Sequence, residues 1–126
     1  MIKRIVVYLS ICLLAYGCCD DNEVFGVYHA RFKEKGTIHY LELFPDSTFC
    51  HVYEKNNIKK EHKGFFQLYK YGNQYHISFD DWKDFDVRTI EYKKRYHSWR
   101  RTDNILINKG QIIFDLDLYE LNFKKE

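Results

Sequence analysis

The chain has 126 residues, 20 Lys and Arg against 18 Asp and Glu, and a formal net charge of +2. That length suits one domain, and a charge so near zero excludes a partner held by bulk electrostatics, nucleic acid first among them. Aromatic residues make up 18% and there is a single proline, a composition that favours strands over long helices.

Lys3 and Arg4 open the chain, an apolar run follows from Ile5 to Tyr16, and Gly17-Cys18-Cys19 leads into Asp20-Asp21. A positive start, a short apolar core and a small residue before a cleavage point is the layout of a secretory signal. The run is too short for a transmembrane helix, which takes about 20 apolar residues. Asp20, Asp21 and Glu23 bar its extension. The segment resembles the signal of a bacterial lipoprotein, whose mature chain begins at a lipid-modified cysteine. Gly17 supplies the small residue before Cys18; the Leu-like residue that the pattern places three positions ahead is Ala15 here, with Leu14 one step farther. Cys19 would put Cys18 and Tyr16 in the motif positions, a poorer fit. The resemblance implies lipid attachment at Cys18 and anchoring to the outer membrane, on its periplasmic or surface face. The acidic residues after Cys18 are similar to a signal that exports some lipoproteins to that surface. A lipoprotein cysteine carries three acyl chains, palmitate among them, and two already anchor stably.

Three segments follow: a signal peptide at 1–17, a lipidated tether at 18–24 and a single antiparallel β domain at 25–126. Removing 1–17 takes away Lys3 and Arg4 and no acid, so about 18 basic residues face 18 acidic ones and the apparent basic excess disappears. The four cysteines lose their look of a disulfide framework too. Cys12 leaves with the signal, Cys18 takes lipid and Cys19 lies on the tether. A Cys19–Cys50 bond suits an oxidising compartment, but Cys50 is expected as a buried small hydrophobe.

Alternation and turn residues mark the strands. Phe25–Phe32 ends at Lys35-Gly36, Thr37–Phe44 at Pro45-Asp46-Ser47, Thr48–Lys55 at Asn56-Asn57, and Ile58–Tyr69 at Tyr71-Gly72-Asn73. Gln74–Phe79 comes next, then a loop over Asp80–Asp86. Arg88–Arg101 is expected as one long strand or two short ones. Ile105–Ile107, a turn at Lys109-Gly110, Gln111–Phe114 and Tyr119–Phe123 complete the domain. The expected fold is all-β, a small antiparallel meander closing as an up-and-down barrel or a sandwich.

Gly26-Val27-Tyr28, Leu41 to Phe49, Gly64-Phe65-Phe66-Gln67-Leu68 and Ile77-Ser78-Phe79 together resemble the strand ladder of small lipocalin-like lipoproteins. Ser47 stands where that family usually has Gly. One branch carries a Cys-x-x-Cys in its first loop, which here is Lys33-Glu34-Lys35-Gly36. The resemblance implies strand geometry and carries over no functional residue.

Turn chemistry sharpens the register. Pro45 fixes φ near −65° and bars a primed two-residue turn, so a type I turn with a left-handed Ser47 is expected. It pairs Leu43 with Phe49, Leu41 with His51 and His39 with Tyr53. Asn56-Asn57 suits a primed turn, pairing Lys55 with Ile58, His51 with His62 and Phe49 with Gly64. Both hairpins then put Leu41, Leu43, Phe49, Phe66 and Leu68 on one interior face. His39, His51 and His62 fall on that face toward one end. Opposed Cβ atoms lie ~5 Å apart, so the three form a candidate site for a small ligand, or for zinc or copper. The plainer reading is three imidazoles, each bonded locally near a wet rim.

Other constellations fall away. Cys50 and His51 are strand neighbours pointing to opposite faces, which excludes a nucleophile–base pair. Asp80–Asp86 lacks calcium-loop spacing and reads as an acidic surface loop. Lys93–Arg101 is a basic-aromatic run that suits phosphate groups or an acidic partner, or else a solvated strand offsetting the acidic loop. No catalytic set stands at usable spacing and no enzyme is expected; no cofactor is implied. The expectation is a monomeric binding or interaction module of the cell envelope, held by its lipid, with a protein partner or small ligand. The alternatives are an envelope stress or metal-sensing lipoprotein using the histidines, and an immunity-like inhibitor of a toxin or hydrolase.

Overall fold

The computed structural model describes residues 21–96, 102–117 and 121–126. A 3-10 turn at Asp21–Glu23 leads into eight strands: β1 Gly26–Ala30, β2 Thr37–Leu43, β3 Thr48–Lys55, β4 Ile58–Tyr71, β5 Gln74–Phe79, β6 Ile105–Asn108, β7 Gln111–Ile113 and β8 Phe123–Lys125. Each strand pairs antiparallel with the next, and β8 returns to β1, so the sheet closes into an up-and-down barrel. Closure removes the free edges that an open sheet would leave.

The two diagnostic turns form as their residues require. Ser47 adopts φ 69°. The Phe44 carbonyl accepts from its amide at 3.1 Å, while Phe44 N donates to the Thr48 carbonyl at 2.9 Å. Asn56 and Asn57 both sit left-handed, at φ 54° and 61°. The pairings Leu41↔His51 and His39↔Tyr53 follow from the first turn, and His51↔His62 and Phe49↔Gly64 from the second. Leu41, Leu43, Phe49 and Phe66 are buried inside the barrel, joined by Tyr28, Ile77, Phe79, Ile105, Ile112 and Phe123. Leu68 packs against this core at its margin. Gly64 falls on the inner face opposite Phe49, where nothing larger fits. A Cβ on it would stand 2.8 Å from the Phe49 ring and 3.1 Å from the Asp80 carbonyl.

Two expected elements differ. Val87–Tyr96 is an α-helix, α1, not a strand; residues 97–101 of the basic-aromatic run lie outside the described residues. The helix wins because Asp86 caps it. Its carboxylate accepts from Arg88 N at 2.9 Å, and its carbonyl accepts from Ile90 N at 3.2 Å. Lys93, Lys94 and Arg95 fill the last turn, where cations favour the helix dipole. The last strand lies at Phe123–Lys125; of the expected Tyr119–Phe123, residues 119 and 120 lie outside the described residues and Leu121 and Asn122 precede the strand. Asn122 bonds Asp115 twice, accepting from its amide at 3.0 Å and donating to its carbonyl at 2.9 Å.

Strand alternation sorts the connections by end. The tight turns after β2, β4 and β6 gather with the start of β1 and the C-terminus. The described parts of the connections after β1, β5 and β7, residues 31–36, 80–96, 102–104, 114–117 and 121–122, leave the strands at the opposite end. The turn end is sealed. The Tyr28 hydroxyl, fully buried, donates to the carbonyl of buried Val24, and Lys125 Nζ donates to the Glu23 carbonyl at 2.7 Å. Among the described residues no helix is long and apolar enough to cross a membrane.

Candidate functional site

Among the described residues, the mouth between the long connections and the outer wall of β2–β4 have the makings of a site.

The mouth is closed by the chain itself. Asp80–Asp86, expected as a surface loop, turns inward instead. Asp80 N donates to the Phe65 carbonyl at 2.9 Å, and Asp81 takes φ 53°, which aims Trp82 into the barrel. Its ring stacks on His51, with centroids 4.4 Å apart and 16° between planes. Phe49, Phe79, Phe114 and Phe123 surround it at 5.8, 4.9, 5.0 and 6.3 Å. Phe85 covers the other side of His51 at 5.1 Å. The acidic flanks conceal two large rings, whose burial outweighs exposure of the short carboxylates around them. One carboxylate is buried with its partners: Asp84 accepts from Trp82 Nε1 at 2.8 Å and from Lys93 Nζ at 2.7 Å. The charge offset expected between the acidic loop and the basic run is thus realised here, by a helical lysine.

The three histidines share the inner face but do not converge on one point. His51, 1% exposed, bonds the Lys83 carbonyl through Nδ1 at 2.9 Å. A carbonyl only accepts, so Nδ1 carries the hydrogen. His51 Nε2 shares a hydrogen bond with His39 Nε2 at 2.8 Å. His39 is held edge-on by Tyr53 and Phe123, at 5.3 and 5.1 Å. His62 turns away to the Asp81 carbonyl, with the Asp81 carboxylate at 3.7 Å. Two of the histidines therefore tie down the plug loop, and the third braces one of them. Among the described residues no group of three His, Cys, Asp or Glu side chains is arranged to hold an ion. The sequence register brought the imidazoles together; their loop partners, Asp81 and Lys83, act through backbone carbonyls, which no sequence pattern displays.

The outer wall is different. A groove of about 530 Å³ lies across β2, β3 and β4, lined by Tyr40, Phe44, Cys50, Phe65 and the charged Glu42, Glu61 and Lys63. Phe65 is 64% exposed and Phe44 37%. Asp46 and Glu61 are held ionised below the usual carboxylate range, Asp46 by the Thr48 hydroxyl and Glu61 by Lys63 and then Lys59. Cys50 is a free thiol, half-buried on this wall rather than in the core. Burial pushes it up, and the Glu61 carboxylate adds to the effect. It is a neutral lining group, not an activated nucleophile. The register inferred from the turns already displays this wall: Glu42, Cys50, Lys63 and Phe65 are the opposite-parity neighbours of the core residues.

Cys18 and Cys19 lie outside the described residues. Comparison with known proteins finds no matching family model, no matching curated protein and no matching solved structure.

Proposed function

We propose that this chain is a lipid-anchored binding module of the bacterial cell envelope, tethered through Cys18, and that it recognises its ligand with the outer wall of β2–β4. One observation carries the choice of surface. The barrel interior is filled by its own Trp82, whereas the wall leaves an aromatic-lined groove and Phe65 open. A contiguous exposed apolar patch rimmed by charge is the usual mark of an interaction site.

The anchor and the surface are tested separately. Cys18→Ala should move the protein from the membrane pellet to the soluble fraction; persistence in the pellet would refute the anchor. A photo-crosslinking residue at position 65 should capture a ligand in intact cells that the same residue at exposed Leu116, outside the groove, does not.

A further inference from the structure

The outward positions of β4 beyond the groove run Phe65, Gln67, Tyr69, Tyr71, all exposed. Tyr69 and Tyr71 present near-parallel rings, 19° apart with centroids at 6.5 Å. The Tyr69 hydroxyl donates to the Gln67 side-chain oxygen. Across the ladder, His76 pairs with Tyr69 in register and meets Tyr71 edge-on at 5.2 Å. His76 Nδ1 is buried and, among the described residues, lacks a hydrogen-bond partner. Six residue steps at about 3.3 Å make this strip roughly 20 Å long. The groove with Glu42, Glu61 and Lys63 continues it at the Phe65 end.

Three features narrow the occupant. The strip is one strand wide, about 10 Å with its flanks, so it offers roughly 200 Å² where a protein partner needs about 800 Å². Its four outward side chains carry no charge, whereas single-stranded nucleic acid requires a basic groove beside the stacking rings. Rings alternate with an amide and phenolic hydroxyls, so apolar faces and hydrogen-bonding groups recur together along one line. A chain of sugar rings presents that same alternation, with C–H faces for the aromatics and hydroxyls for Gln67, the tyrosines and the groove carboxylates.

We infer that the outer wall binds a linear, uncharged glycan along Phe65, Gln67, Tyr69 and Tyr71, with one end in the groove. This rests on the outer-wall reading above and names its ligand class. The test is native affinity electrophoresis of the detergent-purified full chain through gels containing xylan, mixed-linkage β-glucan, glucomannan or dextran, with titration of N-acetylglucosamine hexamer alongside. Retardation by at least one probe is expected. Tyr71→Ala should weaken it roughly 2- to 10-fold, the worth of one aromatic contact, while Tyr71→Phe should restore it. Tyr69 and Tyr71 lie on the surface, so an unchanged melting temperature in the variants separates lost binding from lost folding. No retardation or titration signal with any probe would overturn the inference, as would retardation unchanged by Tyr71→Ala. If glycans fail while a crosslinker at position 65 still captures a partner, the ligand class falls and the outer-wall reading stands.

Discussion

Replacing Trp82 with alanine should cost about 3 kcal/mol. A buried tryptophan removes about 200 Å² from water, which at ~25 cal/mol per Å² gives ~5 kcal/mol. That is an upper bound, because the unfolded chain already buries part of the surface, and Trp82 keeps some exposure at the mouth. Core Trp→Ala changes fall at roughly 3–5 kcal/mol, and the lower end applies. Against a total of about 5–15 kcal/mol this is a severe loss. With a urea slope of about 1–3 kcal/mol per molar for small domains, the midpoint should fall by roughly 1.5 M. The variant should also bind an apolar dye that the wild type excludes, since five rings would then face an empty mouth: Phe49, His51, Phe79, Phe114 and Phe123. Trp82→Phe should recover part of the loss but leave Asp84 without its indole donor. A cost under about 1 kcal/mol, with no dye binding, would show that Trp82 does not fill the barrel.

The remaining predictions concern the supports of this arrangement. His51→Leu should cost about 2 kcal/mol by urea unfolding, because it removes the part-buried bond to the Lys83 carbonyl and leaves the buried His39 Nε2 without its imidazole partner. A cost near zero would dismiss the histidine latch. Gly64→Ala should destabilise by roughly 1–3 kcal/mol, since the added methyl displaces the Phe49 ring and meets the Asp80 carbonyl; the melting temperature reads it. Burial pushes the Tyr28 phenol up to about 12, while the unfolded phenol ionises near 10. The folded state therefore holds the proton longer. Its contribution is whole below about pH 10 and is lost as pH rises toward 12, about 3 kcal/mol in all. The steeper alkaline decline of wild type than of Tyr28→Phe is the measurement, and parallel curves would contradict it.

How far the sequence reached depends on where the determining chemistry lies. The β2–β3 and β3–β4 hairpins were legible because Pro45 and the Asn56-Asn57 pair restrict φ locally, and one turn dictates the parity of a whole strand. The shared face of His39, His51 and His62 follows from that parity alone. The inward Asp80–Asp86 loop was not legible, because its path is set by distant rings and by backbone carbonyls at Asp81 and Lys83. Aromatic Trp82 and Phe85 within an acidic stretch were the visible signal. The helix α1 was misread because Val87, Ile90 and the tyrosines suggest strand, while a single cap residue, Asp86, decides otherwise. The groove was not legible because Glu42, Cys50, Lys63 and Phe65 fall on the solvent parity, where no turn or local pattern marks a concavity.

The central claim is that recognition happens on the outer wall and not in the barrel. Site-specific photo-crosslinking in the native envelope tests it most directly, with the reactive residue placed in turn at Phe65 and at exposed Leu116. The account predicts an adduct at position 65 that is missing at 116. No adduct at 65, or equal capture at both positions, would contradict it.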